Sequence, residues 1–334
     1  MHSHGFSRRC GYGLAVRAVA LIFLLGVYCQ VEAQDFGPIE TRNLRSLSVP
    51  FLRIDPRTPV LGKGERSLSV GLQAANDMRR LGGGAVSEDY EIDRLLLRYR
   101  MGMSGGWDVT FDLPFLTRGG GILDPFIEAW HDIVLGGIPG NIRTDQPFGR
   151  SYVRVPGASF GSASGIGDVS MAATKAIDGR TMATVAVKLP TGNGRQILGS
   201  GNFDAGLAVQ HRVPLGGRFD LYAQLGVIGQ GEATDLPSAR GLVHQEALAL
   251  GWRATSRDHW VFQWQSEASA TQTGVGGSDA SHRLLSLAWQ RRISSGQTLE
   301  VFFSEDGDWI NYRAPELVNI GPDFTAGIRW VRRF

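Results

Sequence analysis

The sequence of 334 residues contains little cysteine, little net charge and no long hydrophobic run. Its two cysteines, Cys10 and Cys29, lie near the N-terminus, so the rest of the chain offers no disulfide, cysteine metal site or cysteine nucleophile. The 34 Lys and Arg residues nearly balance 32 Asp and Glu residues, which argues against nucleic-acid binding by phosphate neutralisation. No run of about 18 apolar residues occurs, which excludes a bundle of membrane-spanning helices.

Residues 1–33 have the pattern of a cleaved export signal. Arg8, Arg9 and Arg17 supply positive charge, residues 18–27 are uninterruptedly apolar, and Ala33 offers a small residue for cleavage. Cleavage would remove both cysteines, three basic residues and one acidic residue, and would leave a mature chain with no net charge. The signal predicts export from the cytoplasm.

From Ser67 onward the sequence alternates between apolar and polar residues. Leu68 and Val70 alternate with Ser67 and Ser69, so one face of the predicted strand is apolar and the other polar. Twelve such segments are each about as long as a tilted membrane-spanning strand needs to be. They lie near 67–74, 94–103, 107–113, 168–177, 181–189, 204–213, 219–228, 242–253, 260–270, 284–292, 298–304 and 324–334.

The links between these segments alternate in length. Short turns fall near 104–106, 178–180, 214–218, 254–258 and 294–297. Longer links fall near 76–93, 114–167, 190–203, 229–241, 271–281 and 305–323. This alternation is typical of an antiparallel up-and-down β-barrel in the outer membrane of a Gram-negative bacterium, which has short periplasmic turns and long extracellular loops. We therefore predict an all-β transmembrane barrel of about 12 strands over residues 67–334, surrounded by outer-membrane lipid.

Aromatic residues near the short turns support this prediction, because barrels carry aromatic girdles at the membrane interface. They are Trp107, Phe219, Trp252, Trp260, Trp289 and Phe334. The alternative is that these aromatics form the core of a soluble β-protein. The last segment ends at Phe334 and resembles the terminal strand of bacterial outer-membrane barrels, which implies recognition by the barrel assembly machinery. Arg332 departs from that signature.

Residues 34–66 contain Pro38, Pro50, Pro56 and Pro59, which suits an extended segment rather than a helix or strand. Three arrangements stay open for this N-terminal segment. It could plug the barrel, pair with it, or remain loose.

The alternate residues of each strand should face the lumen. The three-residue turn between the second and third strands sets their register, which places Arg98 opposite Asp112 and Arg100 beside Thr110 and diagonal to Asp108. The outward pairs are Met103–Trp107, Met101–Val109, Tyr99–Phe111 and Leu97–Leu113. Further inward candidates are Lys188, Arg212 and Arg329 with Asp204, Asp220, Glu267 and Glu300. A conducting pore of mixed charge and a polar network that rigidifies a closed barrel both fit this pattern.

The link 114–167 contains the one convincing helix signal. Asp124 can cap this short helix, Pro125 suits its first position, Phe126 and Trp130 share a face, and glycines 136–137 end it. The helix could constrict the mouth or lumen, or cap the barrel surface. Its candidate mouth residues are Asp124, Phe126, Glu128, Trp130, His131 and Asp132. Their spacing fits no metal-site motif, so we expect no metal, no cofactor and no catalytic residue.

Several stretches together resemble the bacterial outer-membrane proteins of domain-of-unknown-function family 3187. The stretches are Gly119–Asp132, Gly165–Asp168, Lys188–Gly192 with Leu198–Gly201, and Ser304–Asp306. The resemblance covers nearly the whole mature chain and implies an outer-membrane barrel without a known activity.

These observations favour a non-enzymatic, porin-like channel for passive diffusion of a small hydrophilic or aromatic solute. The alternatives are an outer-membrane lipid-modifying enzyme and a closed barrel with a structural or assembly role. An enzyme would need a serine and a histidine side by side on the lipid-facing wall, and the neighbouring strands show no such pair. Nucleic acid is not an expected partner.

Overall fold

The computed structural model describes residues 36–127, 129, 147–233, 235–306 and 324–334. Within these residues the protein is almost entirely β-structure, with 3₁₀ turns at Gly82–Gly84 and Gly194–Gln196 and a helix that begins at Asp124. The strands are β1 (Arg66–Leu81), β2 (Val86–Met103), β3 (Trp107–Gly119), β4 (Tyr152–Val155), β5 (Ala158–Phe160), β6 (Ala163–Ile166), β7 (Ser170–Ala176), β8 (Thr181–Lys188), β9 (Asp204–Gly216), β10 (Phe219–Gln230), β11 (Leu242–Arg253), β12 (Asp258–Glu267), β13 (His282–Ser294), β14 (Gln297–Asp306) and β15 (Phe324–Arg333). None of the helices described is both long and apolar enough to span a membrane.

Twelve of the strands form a closed antiparallel barrel, as predicted. β1, β2, β3 and β7 to β15 pair in chain order, and β15 pairs back onto β1 from Ser67↔Arg333 to Asn76↔Phe324. The ring closes through reciprocal backbone hydrogen bonds of 2.9 and 3.0 Å between Arg66 and Phe334. Closure removes the unpaired strand edges that an open sheet would expose.

The predicted register of β2 and β3 is also observed. Arg98 lies opposite Asp112, and the outward pairs include Met103↔Trp107 and Leu97↔Leu113. The tight turn sets this register, and the alternating side chains reinforce it. A slip by one residue would turn the charged face outward and the apolar face into the lumen.

The barrel has two different ends. Tight turns join β2 to β3, β7 to β8, β9 to β10, β11 to β12 and β13 to β14, and we call this the turn end. The opposite end, the loop end, carries the longer links. The predicted link at 76–93 is wrong, because β1 and β2 pair continuously from Arg66↔Met101 to Leu81↔Val86. Period-two hydrophobicity stops near Asn76 although the strand continues, since the extension packs charged side chains such as Arg79 and Glu88 against each other.

The link between β3 and β7 adds short strands to the loop end of the wall. β4 pairs with β2 around Ser87↔Arg154 and with β5, and β6 pairs with β3 around Leu116↔Gly165. These additions build a rim around the loop end.

The outer face of the barrel is apolar and the inner face is polar. Along β1, Leu72 is 48% exposed whereas the adjacent Gln73 is 5% exposed, and most of the other barrel strands repeat this alternation. Four aromatics, Phe219, Trp252, Trp260 and Trp289, lie side by side on β10 to β13 near the turn end. This arrangement is that of an apolar belt with an interfacial aromatic girdle.

If the apolar belt contacts hydrocarbon, a charged side chain placed on it should destabilise the barrel more the closer it lies to the middle of the bilayer. We predict that Leu97→Arg, in the middle of β2, lowers the free energy of unfolding by about 2–4 kcal/mol, and that Met103→Arg, at the turn end of the same strand, lowers it by about 0–1 kcal/mol. Guanidinium-induced unfolding from lipid vesicles measures both values. Equal costs at the two positions would contradict a lipid-facing belt.

Candidate functional site

Residues 36–61 lie inside the barrel, and we call them the plug segment. The segment enters at the turn end, where the Phe36 ring stacks on His259 with centroids 5.2 Å apart. It rises to the loop end near Arg45, where that side chain meets Glu88 on β2, and returns to the turn end at Leu61 before β1 begins. The plug segment therefore crosses the lumen twice, as a hairpin without strand pairing of its own.

Glutamine side chains of the wall satisfy the backbone of the plug segment. Gln263 accepts a hydrogen bond from the Ile39 amide (2.9 Å) and donates one to the Ile39 carbonyl (2.8 Å). Gln210 makes the same reciprocal pair with Arg57, at 2.9 and 2.8 Å. An extended segment without a sheet partner needs such substitutes, because buried backbone groups must be hydrogen-bonded.

The tip of the plug segment packs into an apolar cluster at the loop end. Leu44, Leu47 and Val49 cluster with buried residues of the wall and the rim, including Tyr90 on β2 and Val153 on β4. The tip is also tied by charge, since Arg45 bonds to Glu88 (2.9 Å) and to the hydroxyl of Ser278 (2.7 Å). Apolar packing and charge therefore both hold the tip against the wall and the rim.

The end of the hairpin lies directly against β2. A side chain at Gly102 would overlap the carbonyl group of Gly62, and the Gly102 amide donates to the Glu65 carbonyl at 2.8 Å. The Leu61 amide donates to Asp108 at 3.1 Å. Glycine at position 102 thus lets the chain pass from the lumen into β1.

A charge network joins the plug segment to the wall at the centre of the lumen. Glu40 of the plug segment bonds to Arg98 on β2 and to Arg329 on β15, the latter at 2.6 Å. Asp112 binds Arg98 through two contacts of 2.6 Å, and Glu300 binds Arg329 at 3.0 Å. Within this network each charge therefore has a partner of opposite sign, as burial in a narrow lumen requires.

The structure places the predicted lumen residues as follows. Arg98, Arg100, Asp108 and Asp112 face the plug segment from β2 and β3, and Arg100 bonds to Asp108 and to the Thr58 hydroxyl (2.7 Å). Glu267, a further inward candidate, bonds to Arg53 of the plug segment. Arg212 lies near the turn end and pairs with Asp220 at 2.8 Å. The predicted charge pairs of the wall thus form, and the plug segment adds Glu40, Arg53 and Thr58 as further partners.

Lys188 links two outer loops to the tip of the plug segment. Its Nζ lies 2.6 Å from Asp168, 2.6 Å from the Ser200 hydroxyl and 3.5 Å from Asp204. Asp204 in turn accepts a hydrogen bond from the Leu52 amide at 2.8 Å. The Gly165–Asp168 and Leu198–Gly201 stretches therefore meet at one buried lysine.

The predicted mouth residues are only partly described. The helix begins at Asp124 rather than after it, so the predicted cap is wrong: Leu123 precedes the first turn and accepts the hydrogen bond from the Ile127 amide. Asp124 instead bonds to Asn76 and to the Gly149 amide, both at 2.9 Å. Phe126 contacts Phe324 at the start of β15. Glu128, Trp130, His131 and Asp132 lie outside the described residues.

The described start of this helix contacts the loop ends of β1 and β15, whereas the plug segment fills the lumen. The cavities found among the described residues between the plug segment and the wall are small, about 10 to 30 Å³ each, and the larger ones hold one or two water molecules. The sequence pointed to residues 34–66 as extended but gave no signal for their place. Within the described residues, no group of three or more His, Cys, Asp or Glu side chains is arranged to hold a metal ion.

Solved structures with similar folds are outer-membrane barrels. An outer membrane channel from Pseudomonas putida F1 matches with a TM-score of 0.57 at 16% identity, covering 84% of this chain and 100% of that one. Weaker likenesses are the NanC porin (TM-score 0.45, 7% identity, 80% and 98% covered) and the toluene transporter TbuX of Ralstonia pickettii (0.40, 9%, 82% and 90%). Those neighbours are channels and porins rather than enzymes.

Sequence comparison identifies the family. None of the curated proteins matches this chain. The family model described as protein of unknown function (DUF3187) matches residues 17–312, most of the chain, and confirms the resemblance seen in the sequence. The chain belongs to the DUF3187 family of proteins of unknown function.

Proposed function

We propose that this protein is an outer-membrane channel for small hydrophilic solutes, closed by its own plug segment and opened when that segment moves. The observation that carries the proposal is the chemistry of the boundary between plug segment and wall. Gln263, Gln210, Arg98 and Arg329 hold the plug segment through polar contacts that water can replace. A wall of this kind suits a hydrated pore.

The membrane location is part of the same proposal. The apolar outer belt, the aromatic row at the turn end and the predicted export signal of residues 1–33 together support insertion in the outer membrane. With the signal removed, the covalent link between the plug segment and the barrel runs through residues 62–65 into β1. A segment joined in this way can leave the lumen without breaking the barrel.

One observation favours a second candidate, a permanently closed structural barrel. The tip of the plug segment packs Leu44, Leu47 and Val49 into an apolar cluster with the rim, and displacing it would expose apolar surface to water. The two candidates differ in whether the plug segment leaves the lumen on the timescale of transport, which conductance measurements decide.

Removal of the plug segment should open the pore. In planar bilayers, refolded residues 34–334 should show rare, brief openings, whereas a variant lacking residues 36–61 should conduct continuously, because nothing described then fills the lumen. Heat-modifiable migration on gels checks that both barrels are folded. A folded deletion variant that stays silent would exclude the channel and leave the closed barrel.

A single substitution should weaken the closed state without removing any residue. Glu40→Gln takes a charge from the plug segment but leaves Arg98 with Asp112 and Arg329 with Glu300. Losing charged hydrogen bonds worth about 1.5–3 kcal/mol should raise the open probability about 10- to 100-fold. Glu246→Gln is the matched control, because Glu246 lies on the outer face of β11 beside His244.

An unchanged open probability in Glu40→Gln would show that the central charge network does not hold the channel closed. An equal rise in Glu246→Gln would attribute the effect to general destabilisation of the barrel. Recordings at the same voltage and salt concentration allow the three proteins to be compared.

A further inference from the structure

The turn end of the barrel carries a large excess of positive charge. Its tight turns, the strand residues next to them and the chain segments that meet there are residues 62–66, 104–106, 175–180, 215–218, 253–258, 291–296 and 332–334. These residues include eleven Lys and Arg against three Asp and Glu, and the C-terminal carboxylate adds one further negative charge. Basic and acidic side chains are equal in number over residues 34–334, so the rest of that chain is acidic.

Four of the basic side chains lie on the outward face of the barrel, at the margin of the apolar belt. They are Arg66 on β1, Lys175 on β7, Arg291 on β13 and Arg332 on β15. Their register shows the orientation, because Arg332 pairs with the outward Leu68 and Lys175 pairs with the outward Trp107. Among the described residues only Arg291 of these four forms an ion pair, with Asp258 at 3.0 Å.

These cations lie beside the aromatic residues of the same end. The Lys175 ammonium is 5.6 Å from the centre of the Trp107 ring, and the Arg291 guanidinium is 5.8 Å from that of Trp289. Tryptophan rings of membrane proteins sit at the level of the lipid headgroups. Long basic side chains beside such rings cover apolar surface with their stems and extend their charges towards the headgroups.

The seam at which the barrel closes concentrates this charge. Arg66 and Arg332 are diagonal neighbours on the outward face, because the Arg66 amide bonds to the Phe334 carbonyl and Arg332 pairs with Leu68. Residues 62–66 and 332–334 together hold four basic side chains against Glu65 and the C-terminal carboxylate. The Glu65 carboxylate accepts a hydrogen bond from the Gly62 amide at 2.7 Å. The seam therefore keeps a net positive charge after both carboxylates are counted.

A position at headgroup level also explains why Arg332 departs from the terminal-strand signature. An apolar residue there would suit contact with hydrocarbon. An arginine suits a phosphate, because its guanidinium can donate two parallel hydrogen bonds to the phosphate oxygens.

We propose that the turn end binds the headgroups of anionic phospholipids, with Arg66, Lys175 and Arg332 as the main contacts. Each Lys or Arg held close to an anionic lipid surface raises affinity about fivefold. The mature chain has no net charge, so the attraction comes from the concentration of charge at one end. This inference rests on the membrane location proposed above but not on conduction.

Tryptophan fluorescence measures which lipids surround the turn end. Five tryptophans lie on outward faces there: Trp107, Trp252, Trp260, Trp289 and Trp330. Refolded residues 34–334 are inserted into vesicles of phosphatidylcholine and phosphatidylglycerol at one fixed composition, in which one lipid or the other carries brominated, quenching acyl chains. Phosphatidylglycerol should quench about two- to fivefold more per lipid at low salt. About 1 M sodium chloride should remove this preference, because the Debye length is then about 3 Å.

Substitution of the three main contacts should remove most of the preference. A variant carrying Arg66→Gln, Lys175→Gln and Arg332→Gln should lose at least about half of the preference for phosphatidylglycerol. A variant carrying Arg66→Lys and Arg332→Lys should keep most of it, because the charges remain. Heat-modifiable migration verifies that each barrel is folded.

The matched control removes three exposed arginines near the loop end. It carries Arg80→Gln, Arg154→Gln and Arg195→Gln, at the end of β1, on β4 and in the 3₁₀ turn before β9. Its change in net charge equals that of the first variant, and its lipid preference should stay within about twofold of the unaltered protein. An equal loss in both variants would attribute the preference to net charge and overturn the proposed contacts.

The same recordings separate this inference from the proposed function. Equal quenching by the two lipids would overturn lipid binding and leave an acidic periplasmic protein as the partner to test, with the membrane location intact. Absence of quenching by either lipid would refute the membrane location and with it both proposals. A preference for phosphatidylglycerol in a barrel that never conducts, even without its plug segment, would support the lipid contacts and refute the channel.

Discussion

The paired contact of Glu40 with Arg98 and Arg329 is the interaction on which the interior of this barrel depends. Taking an unpaired charge from water into a narrow lumen costs several kcal/mol, so the arginines on β2 and β15 need carboxylates close by. Asp112 and Glu300 supply part of that charge from the wall, and Glu40 supplies the rest from the plug segment. The same contact holds the plug segment across the seam at which β1 closes the ring between β2 and β15.

The backbone N–H and C=O groups of the plug segment also need partners inside the lumen. It forms no ladder with the wall, so glutamines such as Gln263 and Gln210 take the place of a neighbouring strand. Polar contacts of this kind favour a fixed position without demanding a dry interface. The rim contributes the apolar part, with Leu44, Leu47 and Val49 buried at the tip. The plug segment is thus held by apolar packing at the loop end and by polar contacts, which water can replace, in the rest of the lumen.

The sequence predicted the barrel because successive side chains of a strand point to opposite faces. A strand with lipid on one face and polar groups on the other must therefore alternate between apolar and polar residues. The same logic set the β2–β3 register and brought Arg98 to Asp112. It failed beyond Asn76, where both faces of the strand leave the apolar belt and the period disappears. It could not place Glu40, because contacts between an irregular segment and strands 58 and 289 residues further along the chain leave no local pattern.

Hydrogen–deuterium exchange of the refolded mature protein tests most directly whether the plug segment occupies the lumen. The amides of Ile39, Leu52 and Arg57 donate to wall side chains, so peptides covering residues 36–61 should exchange far more slowly than an unstructured peptide. They should approach the protection of the barrel strands between openings. Exchange of these peptides at the rate of a free chain, with the barrel strands protected, would show that the lumen is not filled in this way.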